Sequence, residues 1–476
     1  MIDLRESIVI LGGGMAGAFA AKELLDANYK VVIIDAGYCE NDKIDNYNHE
    51  ISSPSYKFNI KSNEFVYKNF ASKLNIKTNN FNAIGSLATG GLSNIWGGGL
   101  SKFAEYEYQS NGSDHSEIAK IYEEVQREMQ LEIERAEITQ TNQIYDKRLQ
   151  KLFGEVRNKI SFSSPINAFN EKNSNDKENK NHGIFNANTL IKKLIKNKGL
   201  KVISNSFIKR LSKNQADYVL ETSNKLSGEE ENYLLKNIFC CLGVISTTKL
   251  ILELEEVFNS PIPLKTTPLG YFLVFTSKKR ENNTKFGLSS LSYNMENHKH
   301  YISGGIFPCN IEVLSYYKFF NFLPKFLKLF IDKILLQRIL IGNIFFSSSM
   351  SSNQIRVFRN GECLIEGKNH HDLKKNYKKI KKSLNTSLKE FHMYILPGIG
   401  GLAKPGSDVH YAGTLPIDEM NLTKLKCDNL GKLYGHESLY IADACLVKDL
   451  PGKPHSLHSI SQSILIARKF IISNSI

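Results

Sequence analysis

The chain has 476 residues, enough for two or three domains of ~100–200 residues each. Its 41% hydrophobic and 10% aromatic content supplies a large core, so disordered and fibrous classes are excluded. Sixty-one Lys+Arg against 48 Asp+Glu give a net charge of +13, which brings nucleic acid and anionic membrane into view beside the simpler reading of solvated lysine faces. Seven cysteines, Cys39, Cys240, Cys241, Cys309, Cys363, Cys427 and Cys445, form neither a paired framework nor a metal-ligand spacing. Cys240 and Cys241 adjoin in an apolar run, the habit of buried thiols, and a cytoplasmic location is expected.

In chain order, residues 7–11 form a short β-branched run expected to be a buried parallel strand. This apolar start has the look of a signal-peptide core but lacks a cleavage site. Gly12, Gly14 and Gly17 follow at G-x-G-x-x-G spacing, then a helix over 18–25 and a second β-branched strand over 30–34 that ends at Asp35. Such a turn bends tightly at the first glycine, admits a pyrophosphate at the second and packs helix on strand at the third. The helix N-terminus faces the phosphate. The acid receives an adenosine ribose, which favours FAD or NAD over NADP.

A second glycine cluster over 84–100 holds six glycines and the only tryptophan, Trp96, a density that reads as a tight structural turn or a backbone cradle along an extended cofactor. Residues 103–135 are charged and helical, with an amphipathic helix over 117–129, and 170–182 is a polar run without apolar residues, read as a surface loop. The middle of the chain is carried by patterning, at 200–211 and then at 237–250. Runs at 271–276, 289–293 and 301–306 suggest an antiparallel sheet. Residues 319–346 read as one or two amphipathic helices, with Pro324 near the start and core packing or a membrane surface as the two uses. No apolar run reaches the ~18–20 residues of a membrane span. Helical spacing of Leu373, Tyr377, Ile380, Leu384 and Leu388 places the lysines of 371–392 on a solvated face, and no nucleic-acid recognition module accompanies them. His370 and His371 adjoin, yet no third ligand has fitting spacing, so no metal is assigned. Near the C-terminus, His410 precedes a glycine turn, a short strand closes on Asp443, and a helix is expected over 456–472.

These motifs together resemble the glucose–methanol–choline (GMC) family of FAD-dependent alcohol oxidoreductases. The fingerprint matches at Gly12, Gly14, Gly17 and Asp35, a second family segment at Gly90, Gly91, Ser93, Trp96 and Gly98, a histidine before a G-T pair at His410, Gly413 and Thr414, and the last strand at Asp443 and Ala444. The anchors lie at both ends in the right order. The resemblance implies an α/β fold: a discontinuous Rossmann-like FAD-binding domain and a second α+β substrate domain built on an antiparallel sheet. The FAD-binding parts are 1–105, 183–256 and 397–476, with a helical insertion over 106–182 and the substrate domain over 257–396.

By the same resemblance, Gly12, Gly14, Gly17, Asp35, Gly90, Gly91, Ser93, Trp96, Asp443 and Ala444 bind FAD. His410 is the base that takes the proton of a substrate alcohol while hydride passes to the flavin. The family's second catalytic His or Asn falls on Pro454, and His455, one residue on, is the expected substitute, with His458 behind it. Where the family has arginine, methionine and glycine after the G-T pair, this chain has Leu415, Pro416 and Ile417. The position used for covalent flavin attachment in some members is Ile95, so FAD is expected to be non-covalent. A sugar- or polyol-like alcohol is the expected substrate, with an electron acceptor that the resemblance leaves open. Two alternatives stand beside it: a flavoprotein without alcohol oxidation, for which Pro454 speaks, and a membrane-surface flavoprotein docking through 319–346, peripheral to the inner membrane face and acting on a lipid-linked glycan.

Overall fold

The structure, a computed structural model, describes residues 1–37, 70–109, 115–130, 147–168, 184–224, 227–279, 289–297, 300–309, 314, 322–418, 420 and 423–474. The polar run at 170–182 and the end of the charged segment at 131–135 lie outside them.

The β-branched run Ile8–Leu11 is buried at every position and is the centre of a five-stranded parallel sheet. Its neighbours are Asn237–Cys240 on one side and Val31–Ile34 on the other, with Leu439–Ile441 and Lys201–Ile203 at the edges. Strands buried on both faces are continuously apolar, as Ile8–Leu11 and Val31–Ile34 are. The helices Met15–Asp26 and Ser456–Asn474 pack on this sheet with a core that includes Phe19, Leu24, Phe239 and Ile464. One small sheet joins Ile2–Asp3 to an antiparallel meander of Glu230–Leu235, Asp217–Asn224 and Ser206–Asn214. Residues 200–211 thus contribute to two strands in two sheets. Asn205, with φ 58° in the left-handed region, makes the break.

A seven-stranded sheet, antiparallel throughout, runs Met393–Leu402, Leu269–Thr276, Ile339–Phe346, His300–Pro308, Leu291–Asn297, Ile160–Ser163 and Val156–Arg157. Its own core joins Phe272, Val274 and Ile344 to Leu373, Tyr377, Ile380 and Leu384 of the helix Leu373–Lys389. A further five-stranded mixed sheet, from Tyr411–Ala412 to Ile76–Asn79, was not foreseen. The chain is thus a mixed α/β fold with several sheets.

The segment 319–346 departs from expectation. A short helix Lys325–Phe330 continues as a wider turn, Ile331–Leu335, and ends at Arg338. Ile339–Phe346 is then a central strand rather than a second helix. Its β-branched residues suit the pleat, and Gly342 lets the Phe272 ring lie where a Cβ would come within 2.1 Å. Among the described residues, no helix is long and apolar enough to cross a membrane.

Candidate functional site

Four strands of the parallel sheet end on one cavity. Gly12 follows Ile8–Leu11, Asp35 follows Val31–Ile34, Gly243 lies just past Asn237–Cys240, and Asp443 lies just past Leu439–Ile441; all four line it. Ligands of open α/β sheets sit in this position, outside the carboxyl ends of the strands. The cavity has a volume of about 900 Å³, and Tyr271, Asn343 and Phe345 of the seven-stranded sheet also line it.

The three glycines of the first turn have separate duties. Gly12 sits at φ 100°, and a Cβ there would lie 2.6 Å from the Cys241 carbonyl. A Cβ on Gly17 would lie 2.0 Å from the Gly12 carbonyl, so this residue sets the helix-to-strand distance. Gly14, at the N-terminus of Met15–Asp26, has no heavy atom within 4 Å of its Cβ position and faces the cavity. Open space at a helix N-terminus with a Gly backbone fits a phosphate group. Asp35 accepts hydrogen bonds from the backbone N–H of Gly13 (2.6 Å) and Gly37 (2.7 Å). It ties the turn together and lines the cavity.

The second glycine cluster lies directly against the first. The Gly90 N–H donates to the Gly13 carbonyl at 3.0 Å, and a Cβ on Gly91 would stand 3.3 Å from the Gly14 Cα. Ser93 is a brace: its hydroxyl donates to the Gly90 carbonyl at 2.5 Å and accepts from the Ala187 N–H at 3.0 Å. Trp96 lines the cavity and donates its indole N–H to the Phe185 carbonyl at 2.8 Å. Asp443 is likewise committed to the scaffold. It accepts from the Gly243 N–H (3.0 Å), the Thr247 hydroxyl (2.6 Å) and the Cys445 N–H (2.9 Å), joining the last strand to the helix Val244–Leu254. Burial raises its carboxyl above the ordinary range against the pull of those donors. Ala444 is buried against the same cavity.

Two histidines meet in the same cavity. The His410 and His455 rings are 5.1 Å apart, edge to face, and both line the cavity. His410 also rests on Phe345 at 4.9 Å. Its Nδ1 lies 2.6 Å from the Thr267 hydroxyl. Asp408 Oδ2 accepts from the Thr267 N–H (2.9 Å), the Thr267 hydroxyl (3.1 Å) and the His410 N–H (3.2 Å). The Thr267 hydroxyl has one proton to place between Asp408 and His410 Nδ1; when Asp408 is ionised and takes it, the His410 proton sits on Nδ1 and Nε2 is the acceptor. Burial, and next the neighbouring His455, hold His410 well below its ordinary pKa. Burial alone lowers His455 to about 4. Both rings are therefore neutral at physiological pH, the state from which a histidine accepts a proton. Burial lifts Asp408 to about 7 against its three donors.

His455 Nδ1 is buried with no hydrogen-bond partner among the described residues. His458 is elsewhere: fully buried, stacked on Phe103 at 4.2 Å, with Nδ1 2.8 Å from the Tyr122 hydroxyl. Pro454 lines the cavity beside His455. Thr267 and Asp408 were missed from sequence. Asp408 had a signal, an acid two residues before the histidine; Thr267 lies 143 residues away in sequence and had none. At the surface, His370, His371 and Asp372 bring ligand atoms within 4.8 Å of one another, so the third ligand that spacing did not offer is the next residue. The turn is exposed, and nothing there points to an ion.

The class these features define is a mixed α/β chain with a double glycine cradle and a histidine pair lining one cavity. No family model and no curated protein sequence matches the chain. Solved structures do. A structure of formate oxidase from Aspergillus oryzae RIB40, described for the effect of a mutation on FAD modification, matches over 100% of both chains at 13% identity with a TM-score of 0.67. Pyridoxine 4-oxidase from Mesorbium loti matches over 98% of this chain and 99% of its own at 13% identity and a TM-score of 0.65. At this identity the likeness is one of fold, and it extends from end to end.

Proposed function

We propose that the protein is an FAD-dependent oxidoreductase of the GMC type that oxidises a CH–OH group of a sugar- or polyol-like alcohol, with His410 as base. The observation that carries this reading is the convergence, in one cavity, of an open glycine cradle at Gly14 and the neutral pair His410 and His455. It is supported by a fold shared with two oxidases, one of them described for its FAD modification. The FAD-binding unit is read as residues 1–105, 183–256 and 397–476, and the substrate unit as 257–396, with 106–182 inserted between.

The residues present fit FAD. Gly12, Gly14 and the helix behind them would hold the pyrophosphate, Asp35 the ribose, and Gly90, Gly91 and Trp96 the stretch beyond. Ile95 offers no side-chain nucleophile for a covalent link. When bound, the flavin supplies the acceptor for a hydride. His410 takes the hydroxyl proton at Nε2, its tautomer held by Thr267 and Asp408. His455, which lines the cavity with its ring 5.1 Å away, hydrogen-bonds the same oxygen and orients it. Ser292, Asn294 and Asn343 line the cavity and offer hydroxyl and amide groups to further hydroxyls of the substrate.

The test is reconstitution. The purified protein is expected to carry, or take up, FAD that is released intact on denaturation. A colourless protein that takes up no added FAD would overturn the proposal.

A further inference from the structure

The segment beginning at Phe322 inverts the usual arrangement of a surface helix. Its inward residues, Leu323, Ile331, Leu335 and Leu336, pack on a small core of Leu273, Cys309, Leu314 and Ile339. Its outward residues are apolar too: Phe322 is 86% exposed, Phe326 68%, Leu329 57%, and Phe330 and Ile334 46% each. Among the described residues, five of the fifteen exposed large hydrophobics fall within this one short stretch. The helix Leu373–Lys389 shows what the same chain does with a face meant for water, for there Lys374, Lys375, Lys378, Lys379 and Lys382 stand outward. An apolar cluster of this kind left to solvent marks a contact surface.

Charge identifies the occupant. Residues 322–338 carry Lys325, Lys328, Lys333 and Arg338 against a single acid, Asp332, in a chain of net charge +13. Phenylalanine and leucine interleaved with lysine is the composition of elements that lie in a lipid interface, apolar side chains among the acyl chains and cations among anionic headgroups.

The position of the segment matters as well. Side chains two residues apart in a strand share a face. Leu269 and Tyr271 line the cavity while Leu273 belongs to the small core. On the neighbouring strand Ile339 belongs to that core, Ile341 touches both, and Asn343 and Phe345 line the cavity. One sheet face therefore runs from the exposed segment to the histidines.

We propose that residues 322–334 dock the protein on an anionic bilayer surface, with the outer end of the cavity-facing sheet turned toward the lipid. The proposal is separate from the chemistry at His410, and its test reads sedimentation rather than turnover.

Full-length protein is incubated at low salt with vesicles of one part phosphatidylglycerol to three parts phosphatidylcholine, and with phosphatidylcholine alone. It is expected to sediment with the anionic vesicles, to stay in solution with the neutral ones, and to be released at about 0.5 M salt, where the screening length is a few ångströms. Lys325→Glu with Lys328→Glu is expected to weaken vesicle affinity roughly thirtyfold. Phe326→Ser with Phe330→Ser is expected to weaken it at least about tenfold. Circular dichroism of each variant checks that it is folded, and the lysine pair, exposed or half-exposed, keeps the test open if the phenylalanine pair misfolds. Wild-type protein that stays in the supernatant with anionic vesicles at low salt overturns the proposal. So does equal sedimentation of folded variants, or a dimer in sedimentation velocity that the phenylalanine substitutions convert to monomer.

Discussion

Gly14 and Gly17 separate binding from folding within one turn. At Gly17 an added methyl would meet backbone, the Gly12 carbonyl at 2.0 Å. Gly17→Ala is therefore expected to cost roughly 1–3 kcal/mol or more through overpacking, read as a lower denaturation midpoint. At Gly14 the methyl meets nothing, and φ of −77° suits any residue. Gly14→Ala should stay within about 1 kcal/mol of wild type yet bind FAD at least tenfold more weakly, roughly 1.4 kcal/mol of lost affinity. Equal FAD affinity by titration would remove Gly14 from the cradle. Thr267 separates positioning from binding in the same way. Thr267→Val keeps the shape and removes the link between Asp408 and His410 Nδ1, so flavin reduction is expected to slow roughly 10- to 100-fold with FAD affinity unchanged. An unchanged reduction rate would mean that the link does not set the tautomer.

At the scale of elements, the sequence was most legible where local pattern and tertiary role agree. Strand, glycine turn and helix over 8–26 could be read because each glycine answers a local geometric demand. The helices at 115–130 and 373–389 were legible because one face of each is apolar at helical spacing. The stretch 339–346 was not. A short, nearly continuous apolar run looks alike as a buried helix and as a central strand, and the pairing partners that decide it, 269–275 and 303–308, come from elsewhere. Asp443 was legible as an acid at a strand end, but its partners were not: Gly243 and Thr247 lie about 200 residues away. It joins two elements, so Asp443→Ala, which leaves three donors, two of them buried, without an acceptor, is expected to cost roughly 2–4 kcal/mol by denaturant titration. A loss below about 0.5 kcal/mol would show that this junction contributes little.

At the scale of the molecule, buried titratable groups set opposing pH dependences. His455, lowered to about 4, is neutral when folded and binds a proton more readily when unfolded. Its contribution to stability is complete above the unfolded pKa of ~6.5 and is lost as pH falls toward 4. Asp408, raised to about 7, has the opposite sign: its contribution is present below the unfolded value of ~3.9 and is lost as pH rises toward 7. The useful quantity is therefore a difference. Between pH 7.5 and pH 5, wild type is expected to lose roughly 2 kcal/mol more stability than His455→Gln. Equal losses would mean that His455 is hydrated and not held neutral by burial. The whole-molecule architecture was legible only through the order of motifs along the chain. Which wall of the cavity each motif occupies came from the sheets.

The central claim is that His410 removes the proton of an alcohol oxidised in this cavity. Its most direct test is anaerobic mixing of the FAD-loaded protein with a series of sugars and polyols, followed by flavin bleaching, for wild type and His410→Ala. The account predicts that at least one alcohol bleaches the wild-type flavin and that His410→Ala does so ~10²–10⁴-fold more slowly with the same FAD content. Bleaching of His410→Ala by that alcohol at the wild-type rate would contradict it.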